Sequence, residues 1–464
     1  MNGGWRRMKR MKKRVIILGL GGGLAWSSVV WSSEDTPAEP ASQDERATSS
    51  GVEGEQPASD EQDRLTELER QVQLLGEEIE RLQLGQVAEE QPLEGRYGLA
   101  PSASKIYGVE RGAAIGGYGE AVLQGFSDEN DDGSASGRLN QFDFLRAIVY
   151  LGYKWNERFL FNSELEFEHA ATDEGGSVSV EFAYVDFLYR PALNLRGGMV
   201  LVPMGFVNEL HEPTVFYGSN RPQVETVIIP STWRENGGGV FGEVGPVTYR
   251  SYLVAGLDSA GFSSGSGLRG GRQKGSRSLA EDFAWTGRLD LTGFPGFLVG
   301  GSFFIGGSGQ GDITPTGASI DGAVHLLDVH AQYNFQGLQL RALYAASTVG
   351  DAELINESLG LTGNASIGSE LAGWYLEAAY DFMGRGAFDS NWSVSPFVRY
   401  EEFDTQAKVP PGYSRNPAND RSVVTLGFEF QPLTSVVLKV DYQDYGNQAG
   451  TGTNQWNFAV GYQF

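Results

Sequence analysis

The sequence predicts an all-β chain: a transmembrane antiparallel β-barrel of 16 strands, preceded by a short coiled-coil helix. Three observations carry this expectation: an alternating final strand, extended segments whose connections alternate between short and long, and a composition rich in glycine and aromatics. In residues 454–464, Trp456, Phe458, Val460, Tyr462 and Phe464 share one face of an extended chain, while Gln455, Asn457, Ala459, Gly461 and Gln463 share the other. A tilted strand needs roughly 9 to 11 residues to cross a bilayer, and strict alternation suits lipid on one side and water on the other. Taken alone, the stretch also fits an edge strand of a soluble β-domain. The 464 residues include 64 Gly, 26 Phe and 19 Tyr, with 20% charged and no Cys. That density of glycine and aromatics favours many short strands over a helical or α/β enzyme. The lack of cysteine excludes disulfides, thiolate metal sites and a cysteine nucleophile.

In chain order, seven cations from Arg6 to Arg14 precede an apolar stretch that ends at Trp31, with Ser32 and Ser33 after it. Residues 1–33 therefore read as a secretory signal peptide, and the glycines at 19–23 argue against an uncleaved anchor. Arg6 and Arg7 form a twin-arginine pair, but a barrel must cross the inner membrane unfolded. Cleavage would leave a chain more acidic than the formal net charge of −24, a poor candidate for binding nucleic acid. Residues 34–63 hold ten acids, one Arg and almost no large apolar side chain, which makes a solvated linker. From 64 to 85, Leu65, Leu68, Val72, Leu75, Ile79 and Leu82 step by three and four, the stripe of a coiled coil. So short a stripe is marginal alone, so it either bundles within an oligomer or packs as a single amphipathic helix. Residues 86–111 read as a second linker, and 112–464 as the barrel.

The extended segments begin near residues 113, 139, 158, 178, 193, 237, 247, 282, 297, 323, 338, 370, 392, 421, 435 and 454. Connections after even-numbered strands are short, and those after odd-numbered strands are long. Short turns on one rim and long loops on the other are the build of outer-membrane barrels, with the short rim in the periplasm. The faces agree: Phe159, Phe161, Leu165 and Phe167 oppose Glu164, Glu166 and Glu168 in the third segment. The fourth is ambiguous, because Glu181 and Asp186 have opposite parity. A barrel of 16 strands is wide enough for an aqueous channel, so something must narrow it.

The longest connection, 205–236, is the candidate. Its charged residues, Glu209, His211, Glu212, Arg221, Glu225, Arg234 and Glu235, would set the bore if the loop folds inward and would be solvated if it lies across the mouth as a lid. Residues 197–213 (GGMVLVPMGFVNELHEP) and 221–242 (RPQVETVIIPSTWRENGGGVFG) resemble the phosphate-selective porin O and P family. The matching features are the strand running into a Pro-Phe-Gly-like turn, the Arg-Pro before an apolar stretch, and Pro-Ser-Thr-Trp ahead of a glycine-rich strand. The resemblance implies a homotrimeric outer-membrane porin of 16 strands with this loop folded inward and, in many relatives, an N-terminal coiled coil. It departs from the founding anion channels in that 306–322 carries no cation. The chain end, Trp456 to the terminal Phe464, resembles the signal by which the outer-membrane insertion machinery recognises its clients.

Strand parity puts Arg146, Arg196, Arg250, Arg288, Arg341, Arg399 and Lys439 in the lumen, together with Glu164, Glu166, Glu168 and further acids such as Asp290, Asp328, Glu377 and Asp441. Arg196, Arg250 and Arg288 would hold anions, or would pair with lumen acids and stiffen the wall. Among the four histidines, His325 and His330 are five apart and face opposite sides, while His169 and His211 read as solvated near outer loops. Without a nucleophile, base and orienting group in reach, no enzyme is expected, and no cofactor or metal is implied. The other class of function is a structural barrel tied to the envelope through its N-terminal coiled coil. The partners expected are outer-membrane lipid, two further copies of the chain and the insertion machinery.

Overall fold

The computed structural model describes residues 95–171, 175–383 and 392–464, with the isolated positions 66, 70 and 71. The signal peptide, the acidic linker and every residue of the coiled-coil stripe lie outside the described residues.

Sixteen antiparallel strands close on themselves. They are β1 (Gly112–Phe126), β2 (Gln141–Lys154), β3 (Phe159–Glu168), β4 (Ser177–Arg190), β5 (Leu193–Leu201), β6 (Arg234–Val244), β7 (Val247–Ala255) and β8 (Phe283–Phe294), then β9 (Phe297–Gly306), β10 (Val324–Phe335), β11 (Leu338–Val349), β12 (Glu370–Tyr380), β13 (Ser393–Lys408), β14 (Asp420–Leu433), β15 (Val436–Asn447) and β16 (Gln455–Gln463). The last strand pairs with the first from Tyr118 opposite Gln463 to Phe126 opposite Gln455. Phe464 completes the seam, its N–H donating to the Gly117 carbonyl (2.9 Å) and its own carbonyl accepting from Gly117 (3.0 Å). Closure leaves no unpaired strand edge for another chain to find.

Alternation decides which face is inside. Along β16, every second residue from Gln455 is buried and the residues between, Trp456, Phe458, Val460 and Tyr462, are exposed. Leu289, Leu327, Val329, Leu376, Leu426 and Phe428 likewise point outward. Such a belt is unfavourable in water and at home in hydrocarbon. Exposed and half-buried aromatics crowd the short-turn rim in pairs, Tyr153 with Trp155, Phe159 with Phe187, Tyr380 with Phe382, and Trp392 with Phe430, as a girdle at a membrane interface requires.

The long connections, L1 to L8, are residues 127–140, 169–176, 202–233, 256–282, 307–323, 350–369, 409–419 and 448–454. Two strand starts differ by more than one residue from the sequence reading: β2 begins at Gln141, and β6 at Arg234, so Arg234 and Glu235 belong to the wall and not to the loop. A β-bulge removes the ambiguity in β4. Its register passes from Glu164 opposite Phe182 to Leu165 opposite Val180, skipping Glu181, so Glu181 and Asp186 are both buried inside.

The expectation that 86–111 is all linker needs correction. Residues 95–108 fold within the barrel, through a bridge between Arg96 and Leu99 and a short helix α1 (Lys105–Gly108). Leu99, Ala103, Ile106 and Tyr107 are buried. Gly152 of β2 makes room for this segment: a Cβ there would lie 2.8 Å from Cβ of Ile106. The physical reason is polar as well as apolar, since Tyr107 Oη donates to Asp186 Oδ2 (2.7 Å) and Asn162 Nδ2 donates to the Ala103 carbonyl (2.9 Å).

Candidate functional site: the lumen and its inward loop

L3 leaves β5 and returns to β6 through a neck tied by one side chain. Asn208 Nδ2 donates to the carbonyls of Val202 (2.7 Å) and Trp233 (2.9 Å), and its Oδ1 accepts from the Trp233 N–H (2.7 Å). Beyond the neck the loop crosses the lumen. Gly205 N donates to Asp328 of β10 (3.1 Å), Tyr375 Oη of β12 donates to Glu225 (2.6 Å), and Val224 N donates to Glu401 of β13 (3.1 Å). Farther round, Ser219 N donates to Asp441 of β15 (2.7 Å), and Thr214 Oγ1 to Gln463 of β16 (2.7 Å). The wall cations take the loop's carbonyls: Lys439 Nζ donates to Phe216 (2.6 Å) and Gly218 (3.0 Å), Arg399 to Tyr217 (3.0 Å) and Asn220 (3.1 Å), and Arg341 to Val215 (3.3 Å).

This is why an irregular segment can be buried. Backbone groups that a helix or sheet would satisfy internally are met here by charged side chains of the barrel. The loop therefore lies inside the barrel and not over it.

The basic residues placed in the lumen by parity are there, and each is paired. Arg146 contacts Glu120 (2.8 Å) and Glu166 (3.5 Å). Arg196 grips Asp186 with two nitrogens (2.9 and 3.0 Å), donates to Tyr107 Oη (2.7 Å) and lies over the Tyr184 ring. Arg250 pairs with Glu209 (2.9 Å) and Arg288 with Asp290 (2.7 Å). Arg399 bridges Glu377 (3.1 Å) and Glu401 (2.9 Å), Arg341 faces Glu377 (3.7 Å), and Lys439 faces Glu429 (3.7 Å). Glu164 meets His211, and Glu168 accepts from Ser177 at the outer rim (2.8 Å).

Of the loop candidates, Glu212 accepts from the N–H groups of Ser102 (3.0 Å) and Ala103 (3.1 Å), joining L3 to the segment at 95–108. Burial pushes its carboxyl up to about 7, against the pull of those amides and of His211. Burial also raises Glu225, offset in part by the Tyr375 hydroxyl and the Val207 N–H. Arg221 donates to the His211 carbonyl (3.4 Å). Arg234 pairs with Glu181, and Glu235 accepts from Trp233 Nε1 (3.3 Å) and Gln273 N (2.9 Å).

The histidines divide differently from the expectation in one case. His325 is exposed and His330 buried, bridging Asp328 (2.6 Å) and Asp290 (2.8 Å), while His169 sits at the outer rim beside Asp143. His211, expected to be solvated, is 2% exposed, because L3 carries it against the inner wall at β3. Residues 261–265 spell G-x-S-x-G, but in L4 and without the strand-to-helix setting, and Ser263 Oγ lies 2.6 Å from Ser266 Oγ.

On the long-loop side, a cavity of about 560 Å³ is floored by Asn220 and Gln223 of L3 and walled by Gln124, Arg138, Phe403, Arg421, Tyr445 and Gln455. Arg421 was missed in the sequence although it shares parity with Thr425 and Glu429, the signal that would have found it. Tyr107 and Asn208 were also missed, while the sequence names Asp186 but leaves it ambiguous by its parity. Nothing in their own spacing marks them, because their partners are remote in the chain.

No family model matches the chain. Among solved structures it is similar to an anion-selective porin from Comamonas acidovorans, at 12% identity and a TM-score of 0.49 over 76% of this chain and 100% of that one. It is similar also to the outer membrane channel DcaP of Acinetobacter baumannii, at 12% identity and a TM-score of 0.48 over 76% and 97%. An uncharacterized protein of Aquifex aeolicus (strain VF5) is 38% identical over 360 residues, covering 75% of this chain and 79% of that protein, and the chain belongs to the same family as it does.

Proposed function

We propose that the chain is a porin of the bacterial outer membrane: a narrow, water-filled channel for passive diffusion of small hydrophilic solutes or ions, with its bore set by L3. The observation that carries this reading is a 16-stranded barrel with an apolar belt whose longest connection is built into the lumen by bonds to its inner wall. An even strand number supports placing both barrel ends, and the N-terminal segment, on the periplasmic side. A homotrimer, membership of the phosphate-selective porin O and P family and a preference for anions are finer proposals resting on the likeness of residues 197–242. Each of Arg196, Arg250 and Arg288 is held by an acid, so the vestibule cations Arg138 and Arg421 are the better candidates for meeting a solute.

A second reading is favoured by one observation. Glu401, Arg399 and Asp328, lumen side chains at the level of L3, are at most 3% exposed. A bore so filled also suits a structural barrel anchoring the N-terminal coiled coil. Planar-bilayer recording separates the two: small single-channel steps that grow when residues 212–223 are shortened support the porin, and silence from both proteins supports the anchor.

A further inference from the structure

Where L3 passes β3 and β4, three buried side chains from separate elements meet. We propose that Glu164, Glu181 and His211 form a binding site for a divalent cation of the zinc type, which clamps L3 to the barrel wall. One nitrogen or oxygen from each residue lies within 4.8 Å of the others, and all three residues are buried. The imidazole is already oriented as a ligand. Its Nδ1–H donates to the Asn208 carbonyl (3.0 Å), which leaves Nε2 facing the two carboxylate oxygens of Glu164 at 3.0 and 3.3 Å. A lone pair aimed at a carboxylate is repulsive unless a proton or a metal ion stands between them.

The second observation is independent of the histidine. Glu181 is 1% exposed and its Oε1 is held by Arg234, yet its Oε2 has no donor other than the neighbouring Glu166 carboxyl in its protonated form. A buried carboxylate oxygen without a donor costs on the order of 1 to 3 kcal/mol, and a cation removes that cost. Among the described residues Glu164 forms no ion pair with a lysine or arginine, and its direct partner is His211, with Arg234 acting on it only from farther off. One imidazole nitrogen and two carboxylate oxygens, with a position left for water, match zinc better than calcium or magnesium, which take oxygen ligands. The clamp has a mechanical sense. His211 sits in L3, Glu164 on β3 and Glu181 on the bulge of β4, so a shared ion joins the loop to the wall, and the bulge is what turns Glu181 inward.

The test uses the full-length folded protein in detergent, stripped by chelator and titrated with Co²⁺ as a spectroscopic probe and with Zn²⁺ as its competitor. The expected result is a visible ligand-field band that saturates near one ion per chain and is abolished by Zn²⁺. Glu181→Gln and His211→Gln should each weaken binding by about tenfold to a hundredfold, while His169→Gln at the outer rim leaves it unchanged. Heat-modifiable migration reports whether each variant folds. If neither variant folds, the wild type decides: Zn²⁺ should raise its unfolding temperature, and no shift counts against the site. No band in the stripped wild type, a band unaltered by His211→Gln, or binding of Ca²⁺ alone overturns the proposal. None of these readouts measures conductance, so the site stands or falls separately from the channel.

Discussion

At Gly119 the barrel wall has no room for a side chain, since a Cβ would lie 2.5 Å from the hydroxyl oxygen of Tyr462 and 2.6 Å from its ring. The aromatic ring covers the glycine across the seam between β1 and β16, and Phe464 covers Gly117 in the same way. Gly119→Val should therefore lower the fraction of heat-modifiable, protease-resistant barrel, and full recovery of that fraction would show that the seam does not depend on the ring. Charge placed on the belt tests the outward face. Phe458→Arg, exposed at the middle of β16, should cost about 2 to 4 kcal/mol of folding stability in lipid, whereas an unchanged unfolding midpoint would mean that this face does not meet hydrocarbon. Inside, Arg399→Gln leaves Glu401 without its ion pair and Glu377 with Arg341 alone, and should destabilise the barrel by about 3 to 5 kcal/mol in the same assay. Parity made the direction of these side chains legible in the sequence. Their partners were not legible, because pairing depends on register, and one skipped residue at Glu181 reverses a face.

Among elements, the strands could be read because period two and the turn residues are local signals. L3 was legible as an inward candidate from its length and charge. The segment at 95–108 was not. Its Leu99, Ile106 and Tyr107 follow neither a helical nor a strand period, and what orders them is a pocket made by Gly152, Asp186 and Arg196 elsewhere in the chain. His211 was misjudged for the same reason, since the wall decides its burial and the loop sequence does not. The consequence is testable. Ile106→Ser with Tyr107→Phe removes the apolar contact and the hydroxyl that links Asp186 to Arg196, and should loosen the segment. Limited proteolysis should then cut within 95–108 while the barrel stays intact. Equal resistance in the variant and the parent would mean that other contacts hold the segment.

At the scale of the whole molecule, the barrel is a wall whose inner charges are spent on holding its contents. Lumen arginines that would attract anions in an open pore are paired with neighbouring acids, and Arg341 and Arg399 also donate to the carbonyls of L3. If the chain is the porin proposed above, selectivity is left to the vestibule, and Arg138→Gln with Arg421→Gln should move the reversal potential in a salt gradient toward cations, as screening within about 8 Å lets these charges act on an ion in that cavity. Whether L3 sets the bore is decided by single-channel conductance of the purified protein, compared with a variant shortened between residues 212 and 223. Small steps are expected for the parent and steps several times larger for the variant, with folding preserved. Equal conductance and an equal solute size cut-off in the two proteins would contradict that role for L3.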